Sequence, residues 1–99
     1  MHAVVNRLRL AHPIDSPVFE NAQRELPPRA AEIEGLRAFH VLRAGDDELI
    51  VLILGDTPEA LERMRTEVGN DWMRENILPH LAGGTERVVA ESVVSWERG

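Results

Sequence analysis

The sequence predicts an α+β fold with the element order β-α-β-β-α-β. Three observations point there. Four apolar runs have strand character, two stretches carry apolar residues at helical spacing, and turn or breaker residues separate them. The chain has 99 residues, 43% of them hydrophobic and spread along its length, which excludes an intrinsically disordered chain. That length suits one domain, expected to span residues 1–99.

Val4 to Leu10 alternates. Val4, Asn6, Leu8 and Leu10 fall on one face of a strand, and Val5, Arg7 and Arg9 on the other. His12-Pro13 and Asp15-Ser16-Pro17 punctuate the chain. Ser16 is suited to cap a helix with Pro17 at its first position. Val18, Phe19, Ala22 and Leu26 then share one stripe. Pro27-Pro28 are expected to interrupt that helix, because each proline removes a donor and crowds the preceding turn. A short piece through Ala30 and Ile33 continues it, and Gly35 opens a second strand, Leu36 to Arg43.

Ala44-Gly45-Asp46-Asp47 reads as a hairpin turn. The third strand, Leu49-Ile50-Val51-Leu52-Ile53-Leu54, is apolar on both faces, so both are expected to be covered. Thr57-Pro58-Glu59 is a helix start, with Thr57 as cap. Leu61, Met64 and Val68 form its stripe. Gly69-Asn70-Asp71 is expected to break it, with Asn70 or Asp71 capping a second stretch, Trp72 to Leu81, that Pro79 bends or ends. Gly83-Gly84 reads as a flexible loop, and a last strand is expected from Val88 to near Trp96.

This order is the split βαβ arrangement of ferredoxin-like domains, with four antiparallel strands and both helices on one face. One chain of this size has no material for the other face. The expectation is a homodimer packed sheet to sheet.

Composition excludes several chemistries. There is no cysteine, so disulfides, cysteine nucleophiles and thiolate metal sites are absent. The eleven basic residues are all arginine, which removes Schiff-base and phosphate-loop lysines. A net charge of -6 disfavours nucleic acid and anionic membrane surfaces. No apolar run reaches the ~18 residues of a membrane span, and no signal peptide is legible, so a cytoplasmic protein is expected. No two histidines lie closer than ten positions, so no local metal-ligand spacing exists and no metal is expected.

Val5-Asn6-Arg7-Leu8, the segment Glu34-Gly35-Leu36-Arg37-Ala38-Phe39-His40-Val41-Leu42-Arg43, and Glu48 to Leu54 running into Asp56-Thr57-Pro58-Glu59-Ala60-Leu61 together resemble the antibiotic biosynthesis monooxygenase family of the dimeric α+β barrel superfamily. The resemblance covers nearly the whole chain in order and spacing. It implies a pocket between helices and sheet that takes a small hydrophobic ligand. Family members include cofactor-free monooxygenases of polycyclic phenols and quinols, haem-degrading enzymes, and proteins of no established activity. In the cofactor-free class a substrate bound as its anion reacts with O2 directly, in an apolar cavity that supplies hydrogen bonds and electrostatic support.

Two catalytic candidates follow. Asn6 sits between Val4 and Leu8 on the expected helix-covered face, where it would donate to a substrate oxygen. It resembles the strand-one asparagine of family enzymes. The alternative role is a structural amide bonded to a loop or helix end. His80 follows Met73 by seven positions, so a persisting helix would aim it at the pocket as a base or haem ligand. Otherwise it is a surface histidine. The resemblance puts Met64 where haem-degrading members carry a tryptophan, and their axial-histidine position falls nearer Asn76 than His80. Leu8, Phe19, Ala22, Leu61, Met64, Trp72, Met73 and Asn76 are the expected lining, each also a candidate for core packing. His40 belongs either to the pocket or to the dimer face, whereas His2 and His12 are expected in solvent.

Three functions remain open from sequence. The chain is a cofactor-independent monooxygenase, or a binder of haem or another flat ligand, or a non-catalytic dimer whose pocket its own side chains fill. A cavity well under about 300 Å3 would favour the last.

Overall fold

Strand alternation sets the fold's two faces. β1 (His2–Leu10) pairs antiparallel with β3 (Glu48–Gly55) on one side and with β4 (Leu81–Glu91) on the other. The hairpin partner of β3 is β2 (Leu36–Arg43), so the sheet order is β2-β3-β1-β4. The computed structural model describes residues 1–98. Gly45 closes the β2–β3 turn at φ 92°, in the left-handed region that glycine adopts without strain. Ala44 N–H then donates to the Glu48 carbonyl at 2.9 Å. The predicted β-α-β-β-α-β architecture with a four-stranded antiparallel sheet is the observed one.

Val4, Leu8 and Leu10 of β1 and Leu49 and Ile53 of β3 are buried. They form the face that the helices cover. α1 (Ser16–Ala30) contributes Ala22, Leu26 and Ala30 to the same core. Its cap is Asp15, one residue before the expected Ser16, in extended backbone and without a side-chain cap bond. Pro27 and Pro28 do not interrupt it, and the helix runs through both to Ala30. The two lost donors would have bonded the carbonyls of Gln23 and Arg24, both exposed, so water can satisfy those groups. Burial of Leu26 and Ala30 on either side holds the turn.

The second helical region also departs from expectation. Thr57 caps α2 (Pro58–Arg63), its hydroxyl accepting from Ala60 N–H at 3.2 Å. The chain then passes through a π-helical segment, Met64–Gly69, into α3 (Asn70–Asn76) without a break. Gly69 and Asn70 have ordinary helical dihedrals, and Asn70 N–H donates to Arg65 O, five residues back. The reason is the stripe Leu61, Met64, Val68 and Trp72, buried along the whole rod of residues 58–76. Each such side chain stabilises by roughly 1.5–3 kcal/mol, more than the ~1 kcal/mol that a helical glycine costs. Ile77 ends the rod, and a 3-10 turn, Leu78–His80, carries the chain past Pro79 into β4.

β4 begins earlier than expected. Gly83 and Gly84 lie inside it, not in a loop, and it stops at Glu91. Its partner explains both limits. β1 begins at His2, opposite Glu91, and a bulge between Leu8 and Leu10 accommodates the start of β4. Val93, Val94 and Trp96 therefore lie beyond the strand and are exposed.

The opposite sheet face carries Val5, Ile50, Leu52, Leu54, Leu42 and Val88. The first four are only half-buried, and Leu42 and Val88 are 44% and 57% exposed. No element of this chain's described residues packs over that face.

Candidate functional site

Antiparallel register brings Val51 of β3 and Arg87 of β4 directly opposite Asn6. These three side chains share the helix-covered face. The floor around them is apolar, formed by Val4, Leu8, Phe39, Val41, Val51 and Ile53. Leu61, Met64, Trp72, Met73 and Leu78 face it from the rod and the turn after it. Between floor and roof lies a cavity of about 420 Å3. That exceeds the lower end of small-molecule sites, about 300 Å3, so the chain's own side chains do not fill it.

The polar groups of the cavity are few. They are Asn6, Asn70, Thr85 and the arginines 65, 74 and 87. Asn6 is half-buried, and among the described residues its amide forms no side-chain hydrogen bond. Arg65 is ion-paired to Glu62 and Arg74 to Asp71, whereas Arg87 has no ion pair among the described residues. The hydrogen bond from Arg65 holds the Glu62 carboxyl below its ordinary range against some desolvation, and the charges of Arg65 and Arg87 add to this. Glu62 thus stays ionised at neutral pH. No histidine, aspartate or glutamate lines the cavity among the described residues. What the site offers is an amide donor and a guanidinium over an apolar floor, suited to an anionic oxygen on a flat hydrophobic body.

The residues singled out from sequence divide into three groups. Asn6, Leu8, Leu61, Met64, Trp72 and Met73 come together around this cavity. Phe19, Ala22 and His40 lie instead along a second groove of about 640 Å3 between α1 and the edge strand β2. Trp72, Phe39 and Val41 contribute to both spaces and stand between them. His40 pairs with Leu52 in register, which places it on the sheet face opposite Asn6. Asn76 lines neither space. Its Nδ2 donates to the Trp72 carbonyl at 3.0 Å. His80 lies outside as well. The helix that would have aimed it inward ends at Asn76, and the turn at Pro79 carries its ring to His12, Nδ1 to Nε2 at 3.3 Å. A haem in this cavity would therefore find no imidazole among the described lining residues.

Among the lining residues that sequence reading missed, Arg87 and Thr85 are the polar ones from β4. Their signal was the alternation Thr85, Arg87, Val89, hidden by treating Gly83-Gly84 as a loop and starting the strand at Val88.

No family model matches the chain, and no curated protein matches it. Solved structures do. A protein of unknown function from Nitrosomonas europaea superposes with a TM-score of 0.74 at 14% identity, covering 99% of this chain and 94% of that one. SnoaB, a cofactor-independent oxygenase from Streptomyces nogalater, gives 0.68 at 14%, covering 98% and 97%. A monooxygenase of Streptomyces coelicolor in complex with nanaomycin D gives 0.67 at 15%, covering 99% and 92%. Another similar structure is named an antibiotic biosynthesis monooxygenase. At these identities the likeness is one of fold, and the fold that this chain carries is that of the antibiotic biosynthesis monooxygenases.

Proposed function

We propose that this chain is a cofactor-independent monooxygenase that oxidises a small aromatic or quinol-like substrate with O2 in the cavity between rod and sheet. The observation that carries the reading is the juxtaposition of Asn6 and Arg87, opposite each other in register, on the wall of an apolar space of about 420 Å3. Two of the similar structures, a cofactor-independent oxygenase and a monooxygenase holding nanaomycin D, support it.

The chemistry follows from what lines the space. The substrate binds with its flat body against Phe39, Val41 and Trp72, and its phenolic oxygen toward Asn6 and Arg87. Arg87 favours the anion by charge and Asn6 by donating a hydrogen bond. Since no side-chain base lines the cavity among the described residues, the proton leaves to solvent. The anion then passes its electrons to O2. At an activated methylene, CH2 and O2 become C=O and water. The substrate supplies all four electrons, so no outside reductant enters.

The chain is also proposed to work as a homodimer through the uncovered sheet face. The support is the set of apolar side chains Val5, Ile50, Leu52, Leu54, Leu42 and Val88 on that face, which Arg7, Glu86 and His40 share. Interfaces between identical subunits are of this apolar kind.

The test of function is incubation with a panel of hydroxylated anthrones under 18O2. The expected result is oxygen uptake with one labelled atom in the product and the other in water. No uptake above the spontaneous rate with any member, or product oxygen drawn from water, would overturn the reading.

A further inference from the structure

His12 and His80 stand 68 positions apart in sequence, and no local spacing links them. The fold brings His80 Nδ1 to 3.3 Å from His12 Nε2, with the rings edge to face at a centroid distance of 4.6 Å. Both backbones are held. His12 precedes Pro13, which restricts it to extended conformations. His80 follows Pro79, donates its N–H to the Ile77 carbonyl at 2.9 Å and accepts from Ala11 N–H at 2.7 Å. The last of these bonds ties the turn before β4 to the chain leaving β1.

The ring nitrogens have definite roles. A carbonyl can only accept, so His12 Nδ1 donates to the Pro13 carbonyl at 3.3 Å. That leaves a lone pair on Nε2 of the neutral ring. An imidazole whose other N–H is bonded to a backbone carbonyl is oriented as metal-ligating histidines are. Tetrahedral zinc holds nitrogens at about 2.0–2.1 Å, which sets two ligands roughly 3.3–3.4 Å apart. The pair already has that separation.

We propose that His12 and His80 form a bidentate surface site for a divalent transition-metal ion of the zinc class. In this site His12 Nε2 and His80 Nδ1 are the ligands. The proton on His80 Nδ1 moves to its Nε2 when the metal binds. Among the described residues no third histidine or carboxylate joins them, so water completes the shell. Imidazole suits zinc, copper and nickel alike, and zinc is the probe of choice because it brings no redox chemistry. The bound ion clips the loop after β1 to the turn before β4, outside the cavity.

Zinc titration of the full chain by isothermal calorimetry tests this, with His12→Ala, His80→Ala and His2→Ala alongside. His2 lies at the far end of β1, opposite Gly55 and Glu91. The expected result is one saturable site per chain, weakened about tenfold or more by either His12→Ala or His80→Ala and unchanged by His2→Ala. Proton NMR of the unaltered chain supplies a second readout that needs no variant. Zinc is expected to move the ring signals of two of the four histidines and leave the other two in place. No saturation below about 1 mM, equal affinity in either pair variant, or movement of a single histidine would overturn the proposal.

Discussion

An amide on an apolar wall is costly unless something bonds it, by about 1–3 kcal/mol when fully buried. Asn6 is half-buried in such a wall, facing the cavity. In the proposed reaction its partner is the substrate oxygen, so its contribution belongs to the rate. Asn6→Ala is expected to fold as the parent does and to lower kcat by about 100-fold, the usual loss when one donor to a developing oxyanion is removed. Arg87 acts through charge. A nearby cation lowers the pKa of a bound phenol, so its removal raises it. Arg87→Gln should therefore move the midpoint of the pH–rate profile upward by about one unit, with activity lost first on the acid side. A profile that does not move would remove Arg87 from this role. Asn6 was legible in the sequence because alternation in β1 fixes its face without reference to any partner. Arg87 was not, because its place depends on a register between strands some eighty residues apart. His80 was misleading for a related reason. Its direction depended on whether a helix continued past Asn76, and spacing alone does not decide that.

Among the helices, expectation and structure part wherever a local breaker meets a buried stripe. Pro27-Pro28 and Gly69-Asn70 oppose a helix locally, yet both stay helical because apolar residues before and after them are buried on one face. The Thr57 cap and the strand cores were legible because their chemistry is local. Thr57→Ala is expected to destabilise the chain by about 1 kcal/mol by removing the bond to Ala60 N–H, measurable as a lower urea midpoint. A larger effect is expected at Gly55, where β3 meets α2. A Cβ there would lie 3.2 Å from Leu61 Cδ2 and 3.3 Å from Ala60 Cβ. Leu61 Cδ2 borders the cavity and can turn aside, but the Ala60 Cβ is fixed to the α2 backbone and moves only with the helix. Gly55→Ala should cost roughly 1–3 kcal/mol by overpacking, and a neutral result would show that α2 can shift.

The molecule as a whole leaves one sheet face apolar and half-exposed, and the six-residue apolar run of β3 makes that face legible from sequence alone. What the sequence withheld was the extent of the surface. β4 stops at Glu91, so Val93, Val94 and Trp96 add exposed apolar groups beyond the sheet. For the proposed dimer, sedimentation equilibrium at low micromolar concentration should show a species of twice the 11.1 kDa chain mass. Leu52→Glu, on the uncovered face, should shift it to the monomer while leaving far-UV circular dichroism unchanged. A parent chain that sediments only at 11.1 kDa would contradict the dimer without touching the cavity chemistry.

The proposed chemistry depends above all on the cavity wall that Asn6 and Arg87 share. Its direct test is the rate of oxygen uptake with hydroxylated anthrones, compared between the parent chain and Asn6→Ala at equal folded concentration. The expected result is turnover by the parent and a loss of about 100-fold in the variant. Equal uptake by the two would contradict it.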